Sequence, residues 1–149
     1  MTTIRKAIQK EWQTIAGFQQ LMAKETENIE LDPLILEKGI NAIFEHPERG
    51  CYFVAVIDNV IVGSLLITYE WSDWRNRTIY WIQSVFVDPA YRRRGIYKLL
   101  YKKIKEMAEA DSQIGGIRLY VDKTNKIAQQ TYAALGMNGE HYQVFEWMK

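Results

Sequence analysis

The chain of 149 residues has a single cysteine, Cys51, so no intramolecular disulfide can form. Its apolar setting, CYFVAVI, marks a buried thiol in a reducing compartment, not a nucleophile. No apolar run approaches the 18 residues needed to span a bilayer. The start, MTTIRKAIQKEW, has no apolar stretch of the signal-peptide kind. A cytoplasmic protein with no membrane partner is the expectation. Net charge is only +1, which argues against a molecule that binds nucleic acid through its overall field. The two histidines, His46 and His141, have no metal-ligand company in sequence, so no metal site is expected. Repeats, low-complexity tracts and Gly/Ser linkers are also missing, which leaves one domain over residues 1–149.

What is present is ordinary globular composition, 48% hydrophobic and 25% charged, enough for a real core. Residues 3–7 read as a first strand, and residues 10–24 as a helix with Trp12, Ile15, Ala16, Leu21 and Met22 on one stripe. A second helix is expected from Pro33 to about Phe44, with Asp32 as N-cap and Pro33 as first residue. In CYFVAVIDNVIVGSLLITYEW, two β-rich runs flank Asp58-Asn59, a tight hairpin signal. WSDWRN reads as a polar, aromatic loop. RTIYWIQSVFV is a strand apolar on both faces, as in a covered sheet. A helix follows, with Ile96, Leu99, Leu100, Ile104, Met107 and Ala108 on one face. GGIRLYV is a strand, NKIAQQTYAAL a helix closed by Gly136, and YQVFEWM a final strand. The order gives an α+β fold with a mixed, mostly antiparallel central sheet and helices on both faces. The strands on either side of the helix after Gly95 would be parallel, through a right-handed crossover.

The corner VDPAYRRRGIYKLL is where chemistry concentrates. A strand ends, a glycine-bearing turn follows, and a helix starts. The first N–H groups of a helix have no internal partner, and its dipole adds partial positive charge. Glycine admits a ligand to the backbone, and arginines add charge and forked donors. Read alone, the corner is a phosphate site or a solvated basic turn.

SVFVDPAYRRRGIYKLL resembles the acetyl-CoA-binding motif of the GNAT (GCN5-related) N-acetyltransferase family: an apolar strand ending Val-x-Pro, then Gln/Arg-x-x-Gly-x-Gly/Ala, then an amphipathic helix. Arg92 and Gly95 match; Tyr97 replaces the last small residue. LYVDKTNKIAQQTYAALGM is similar to the family's later block, through Asn125, Ala128, Tyr132 and Gly136. VIVGSLLI resembles its third strand. The element order matches the GNAT acyl-CoA N-acyltransferase fold over nearly the whole chain.

The resemblance implies direct attack of a primary amine on the thioester of acetyl-CoA, in a ternary complex. It implies that the backbone of Arg93, Arg94, Gly95, Ile96 and Tyr97 holds the diphosphate, with charge from Arg92, Arg93, Arg94 or Lys98. The main chain of Val85, Phe86 and Val87 would pair with the pantetheine arm like an added strand, and an N–H near Val85 would polarise the thioester carbonyl. Asn125 would bond the pantetheine or the chain around it. Tyr132 would be the general acid: a phenol near pKa 10 can protonate a departing thiolate near 8.5. The alternative for Tyr132 is core packing. Many family members place a Glu where Gln83 stands, and an amide can orient a water but cannot take a proton. The base is therefore Glu70, Asp73 or water, with Glu70 favoured. Trp71, Asp73 and Trp74 could receive a cationic amine by cation–π and charge contact, or the indoles could simply pack. A small-molecule or peptide amine is the expected acceptor. A catalytically inactive acyl-CoA-binding domain of the same fold is the alternative, and a nucleic-acid module using the basic corner is disfavoured by the net charge. Homodimerisation is an open option, to which the aromatic final strand could contribute.

Overall fold

The computed structural model describes all 149 residues, which divide into two compact units, Met1–Arg118 and Leu119–Lys149. No helix is long and apolar enough to cross a membrane.

The first unit is built on a sheet of order β1-β2-β3-β4-β5. Its strands are β1 (Thr2–Lys6), β2 (Gly50–Ile57), β3 (Val60–Ser72), β4 (Arg77–Val87) and β5 (Ile114–Leu119). The first three pairings are antiparallel, and the sheet is mixed, so β4 and β5 run parallel, as expected for strands joined through a helix. At their entry the Thr78 N–H donates to the Gln113 carbonyl, 2.9 Å. Asp58 and Asn59 both lie at positive φ, 48° and 65°, and close the β2–β3 hairpin. These are the conformations a two-residue type I′ turn requires and that Asn and Asp tolerate best.

Tyr52 to Ala55 and Val62 to Ile67 are buried without interruption, so both faces of the sheet are covered. On one face lie α1 (Trp12–Glu27) and α2 (Pro33–Glu45), where Ile15, Ile40, Tyr52 and Leu66 form a cluster backed by Trp12, Leu36 and Phe44. Asp32 caps α2 as expected, its carboxylate accepting from the Leu34 and Ile35 N–H groups, with Pro33 as first residue. In α1 the buried side is Ile15, Phe18, Gln19 and Ala23, while Leu21 stands exposed. The helix α3 (Ile96–Ala110) crosses β1 to β4 and buries Ile96, Leu100, Tyr101 and Ile104; Leu99 is on its outer side.

The second unit holds the last residue of β5 and α4 (Lys126–Ala134). Gly136, at φ 88°, follows the helix in the left-handed conformation that ends it. The expected final strand is not formed. YQVFEWM has strand propensity, yet residues 142–148 belong to no strand. Strand propensity expresses itself only where a neighbour is available, which is why pattern alone misplaced it.

Candidate active site

β4 is not a straight strand. Leu66 faces Gln83, and two residues earlier Ser64 faces Phe86, so Ser84 and Val85 together oppose the single residue Leu65. Ser84 takes the left-handed conformation, φ 51°. This is a β-bulge, which bends a strand and leaves backbone groups outside the ladder. β5 starts level with Thr78 and has six residues, so it ends near the level of Gln83. No strand of the sheet continues beside Val85, Phe86 and Val87 on that side. The main chain there has the form of a strand edge that a ligand could extend.

Just beyond, Asp88 caps a 3-10 turn, Pro89–Tyr91, by accepting from the Ala90 N–H at 2.9 Å. Arg93 and Gly95 then take positive φ, 64° and 73°. Gly95 is the N-cap of α3 and supplies no side-chain oxygen, so the helix's first N–H groups keep their capacity for an outside acceptor. A Cβ placed on Gly95 would meet nothing within 4 Å: the space over this turn is open. Arg93, Arg94 and Lys98 are exposed around it. The donor set and the open approach fit a diphosphate. Tyr97 is partly buried in the first turn of α3.

Arg92 is engaged elsewhere. Its guanidinium makes a two-point ion pair with Glu25 of α1, 2.8 and 2.9 Å, while its Nε donates to the Val87 carbonyl at 3.0 Å. It also stacks over the Phe86 ring at 5.3 Å, and Phe86 packs on Phe18 of α1, centroids 5.3 Å apart. Of the four side chains that could add charge to the phosphate site, this one instead ties α1 to the strand end. Arg94 lies over the Tyr91 ring at 5.1 Å.

A polar row runs along the α1/α2 face of the sheet. Gln83 Nε2 donates to Thr68 Oγ1 at 2.6 Å, and Trp81 Nε1 to Glu70 Oε1 at 2.7 Å. Arg118 Nη1 lies 2.8 and 2.9 Å from the two Glu70 oxygens. The Trp81 and Arg118 hydrogen bonds hold the Glu70 carboxyl below the usual carboxylate range. A carboxylate so held is ionised but a weak proton acceptor, which counts against the expected role of general base. Trp71 pairs with Thr78 and Glu70 with Ile79, so strand alternation turns Trp71 to the opposite face from Glu70 and Trp81. Tyr80, its ring tilted against that of Tyr69 with centroids 5.9 Å apart, is on that opposite face too. The sheet therefore brings one indole, Trp81, to the carboxylate instead of several. Trp74 is 92% exposed at the β3–β4 turn, where the Asp73 carbonyl accepts from the Asn76 N–H at 3.4 Å.

In the second unit Asn125 is the N-cap of α4, its Oδ1 accepting from the Ala128 N–H at 3.0 Å. That bond gives Asn125 a helix-starting role. Tyr132, seven residues on, is on the same side of α4 and partly buried. Half-buried Cys51 has its thiol pushed up by burial, in keeping with an unreactive side chain.

Sequence reasoning did not single out Glu25, Thr68, Ser84 or Arg118. Arg118 had a signal, a lone charge inside the apolar strand GGIRLYV. Glu25 had none, because its partner is 67 positions away.

The chain matches the acetyltransferase (GNAT) family over residues 6–137. It is similar to thialysine N-epsilon-acetyltransferase from Bos taurus, 38% identical over 76 residues, which is 51% of this chain and 44% of the bovine protein. The match thus spans less than half the length of that relative. With the Mus musculus protein of the same name the identity is 28% over 144 residues, covering 91% of this chain and 83% of the mouse protein. A crystal structure from Clostridium difficile 630, described as a possible acetyltransferase, is 42% identical with TM-score 0.94, over 100% of this chain and 98% of that one. A predicted acetyltransferase from Clostridium acetobutylicum, solved with acetyl-CoA, shares the fold at TM-score 0.77 and 18% identity, over 98% of this chain and 96% of that one. With the bulged strand, the glycine-capped helix and a match across nearly the whole length, the chain belongs to the acetyltransferase (GNAT) family.

Proposed function

We propose that this chain is an N-acetyltransferase that moves an acetyl group from acetyl-CoA to the primary amine of a small molecule. The observation that carries the reading is the open, glycine-capped start of α3 placed directly after the bulged end of β4. Acetyl-CoA supplies an activated acetyl thioester, which the amine attacks directly.

The N–H groups from Arg93 to Tyr97 hold the diphosphate, and Arg93, Arg94 and Lys98 add charge. Arg92, bound to Glu25, fixes the position of the turn instead. The main chain of Val85, Phe86 and Val87 orients the pantetheine arm, and the Val85 N–H, outside the paired register, stabilises negative charge on the carbonyl oxygen. Asn125 sets the start of α4, and Tyr132 on the same helix gives its proton to the departing thiolate.

The acceptor must lose a proton to become a nucleophile. Glu70 is held ionised by Trp81 and Arg118, so we assign that proton to water, with Gln83 orienting the water or the amine. Glu70 supplies a fixed negative field for the ammonium group, and Trp81 an aromatic face beside it. Asp73 and Trp74 form the outer rim of the acceptor site. The name of the bovine and murine relatives supports an amino acid carrying a side-chain amine as acceptor.

Calorimetric titration with acetyl-CoA, beside CoA and desulfo-CoA, tests the reading, followed by thiol release with thialysine, lysine, polyamines and aminoglycosides. Saturable micromolar binding, about −8 kcal/mol, is expected. Absence of binding would reduce the likeness to one of fold. Binding without thiol release from any amine would favour an inactive acyl-CoA-binding domain.

A further inference from the structure

Glu70 does not stand alone in its part of the sheet. It pairs with Ile79 on β4, and a Cβ on Gly115 of β5 would come 3.3 Å from the Ile79 side chain. The stems of Arg77 and Arg75 lie beside that bare glycine, 3.2 and 3.5 Å from where its Cβ would stand. Arg75 Nη1 is 3.3 Å from the oxygen of Ser72, which follows Glu70 by two residues and so shares its face. Arg118 reaches both Glu70 oxygens from β5. Three arginines therefore gather here around two acids, Glu70 and Asp73.

This balance selects among amines. A polyamine or an aminoglycoside is positive along its whole length. It gains little from a carboxylate that a guanidinium already faces, and the arginines repel it. The head of a free amino acid is a better match, because it carries an ammonium beside a carboxylate. Its ammonium can donate to Glu70 next to the Trp81 ring, and its carboxylate can accept from the planar fork of Arg118. Glu70 and Arg118 are 37% and 30% exposed, so a small solute can reach the pair.

We propose that Arg118 sets acceptor specificity: together with Glu70 it holds the zwitterionic head of a free amino acid whose side chain bears the reacting amine. The assignment rests on the acetyltransferase function proposed above. The spacing agrees with it. From Ile79, opposite Glu70, to Gln83 is four residues of β4, about 13 Å. The two amines of an extended lysine are about 7 Å apart, and a hydrogen bond of about 3 Å at each end completes the span. The α-amine is thus kept at the far end, and the side-chain amine is the one that reaches the thioester.

The test is thiol release from acetyl-CoA with lysine, lysinamide and cadaverine. The amide removes the negative charge of the head, and cadaverine lacks the carboxyl altogether. In the wild-type protein kcat/KM for lysine should exceed both by at least 50-fold, through KM, and mass spectrometry should find the acetyl group on the side-chain nitrogen alone. Arg118→Gln should lower kcat/KM for lysine at least 20-fold, again through KM, and raise it for cadaverine, because Glu70 is released to attract a cation. Arg118→Lys, which keeps the charge and loses the fork, should fall between the two. Equal use of lysine and lysinamide by the wild type overturns the proposal, and needs no variant to fold. Acetylation of the α-amine overturns it too, as does a loss in Arg118→Gln that is the same for all three amines, the mark of a merely structural role. Cadaverine turned over faster than lysine would strike the proposal and leave the acetyltransferase function standing, whereas no thiol release with any amine would strike both.

Discussion

Glu25 and Arg92 are 67 residues apart in the chain and joined by two hydrogen bonds of 2.8 and 2.9 Å. The pair connects the helix on one face of the sheet with the turn that starts the helix on the other. Both groups are substantially exposed, so the bond is worth little as stability, about 1 kcal/mol or less. Its value lies in position. Glu25→Ala should lower the melting temperature by only about 2–4 °C and weaken acetyl-CoA binding several-fold, read by calorimetry. Unchanged affinity would make the pair a surface contact only.

Gly95→Asp should weaken acetyl-CoA binding at least 100-fold, about 2.8 kcal/mol, by setting a negative charge over the turn. Gly95→Ala separates charge from conformation. Its Cβ meets no neighbour, but φ 73° strains an alanine by about 1 kcal/mol. The alanine variant should lose some thermal stability and much less affinity than the aspartate. Equal affinity of Gly95→Asp and wild type would remove the diphosphate from this turn.

Tyr132→Phe should keep acetyl-CoA affinity within about twofold and lower kcat roughly 100-fold, the usual scale for loss of a general acid. Wild-type turnover in the phenylalanine variant would return Tyr132 to a packing role.

Glu70→Gln should raise KM for the amine and leave the shape of the pH–rate profile intact, because the proton goes to water. Loss or displacement of the acidic limb would instead make Glu70 the base. Gln83→Glu is the companion variant. A carboxylate there would introduce a proton acceptor, and the acidic limb should move.

Acid stability follows from three carboxylates held low. Glu11 is bonded to Arg5, Glu25 to Arg92, and Glu70 to Trp81 and Arg118. A depressed folded pKa means stability that is present above the unfolded value and lost as pH falls through the folded one. The fold should therefore hold its stability down to about pH 4.3, the ordinary glutamate value, and lose it progressively below. Chemical denaturation at stepped pH should show this decline, shallower in Glu11→Gln and Glu70→Gln. A decline beginning near pH 6 would point to other groups.

Local chemistry was readable in the sequence. Asp32 before Pro33 announced a helix start, Asp58-Asn59 a hairpin, and Gly95 a helix that opens without a side-chain cap. Each depends on residues within four positions of one another. What was not readable depends on distance or on parity. The charge on Arg92 looked available because Glu25 is far off in sequence. Trp71 looked adjacent to Glu70 because the two are neighbours in the chain, the one arrangement that puts strand residues on opposite faces. The terminal strand was read from its residues alone, whereas a strand also needs a partner.

The bulge at Ser84 and Val85 has one more consequence. It acts as a phase step in β4: Gln83 and Phe86, three positions apart, come to share a face, which the even spacing of a regular strand forbids. Ahead of the step that face is polar and meets Thr68; behind it the face is apolar and meets α1. Deleting one residue here would not merely shorten the strand. It would rotate Phe86, Val87 and everything anchored to them by half a turn, so this stretch tolerates substitution far better than any change in length.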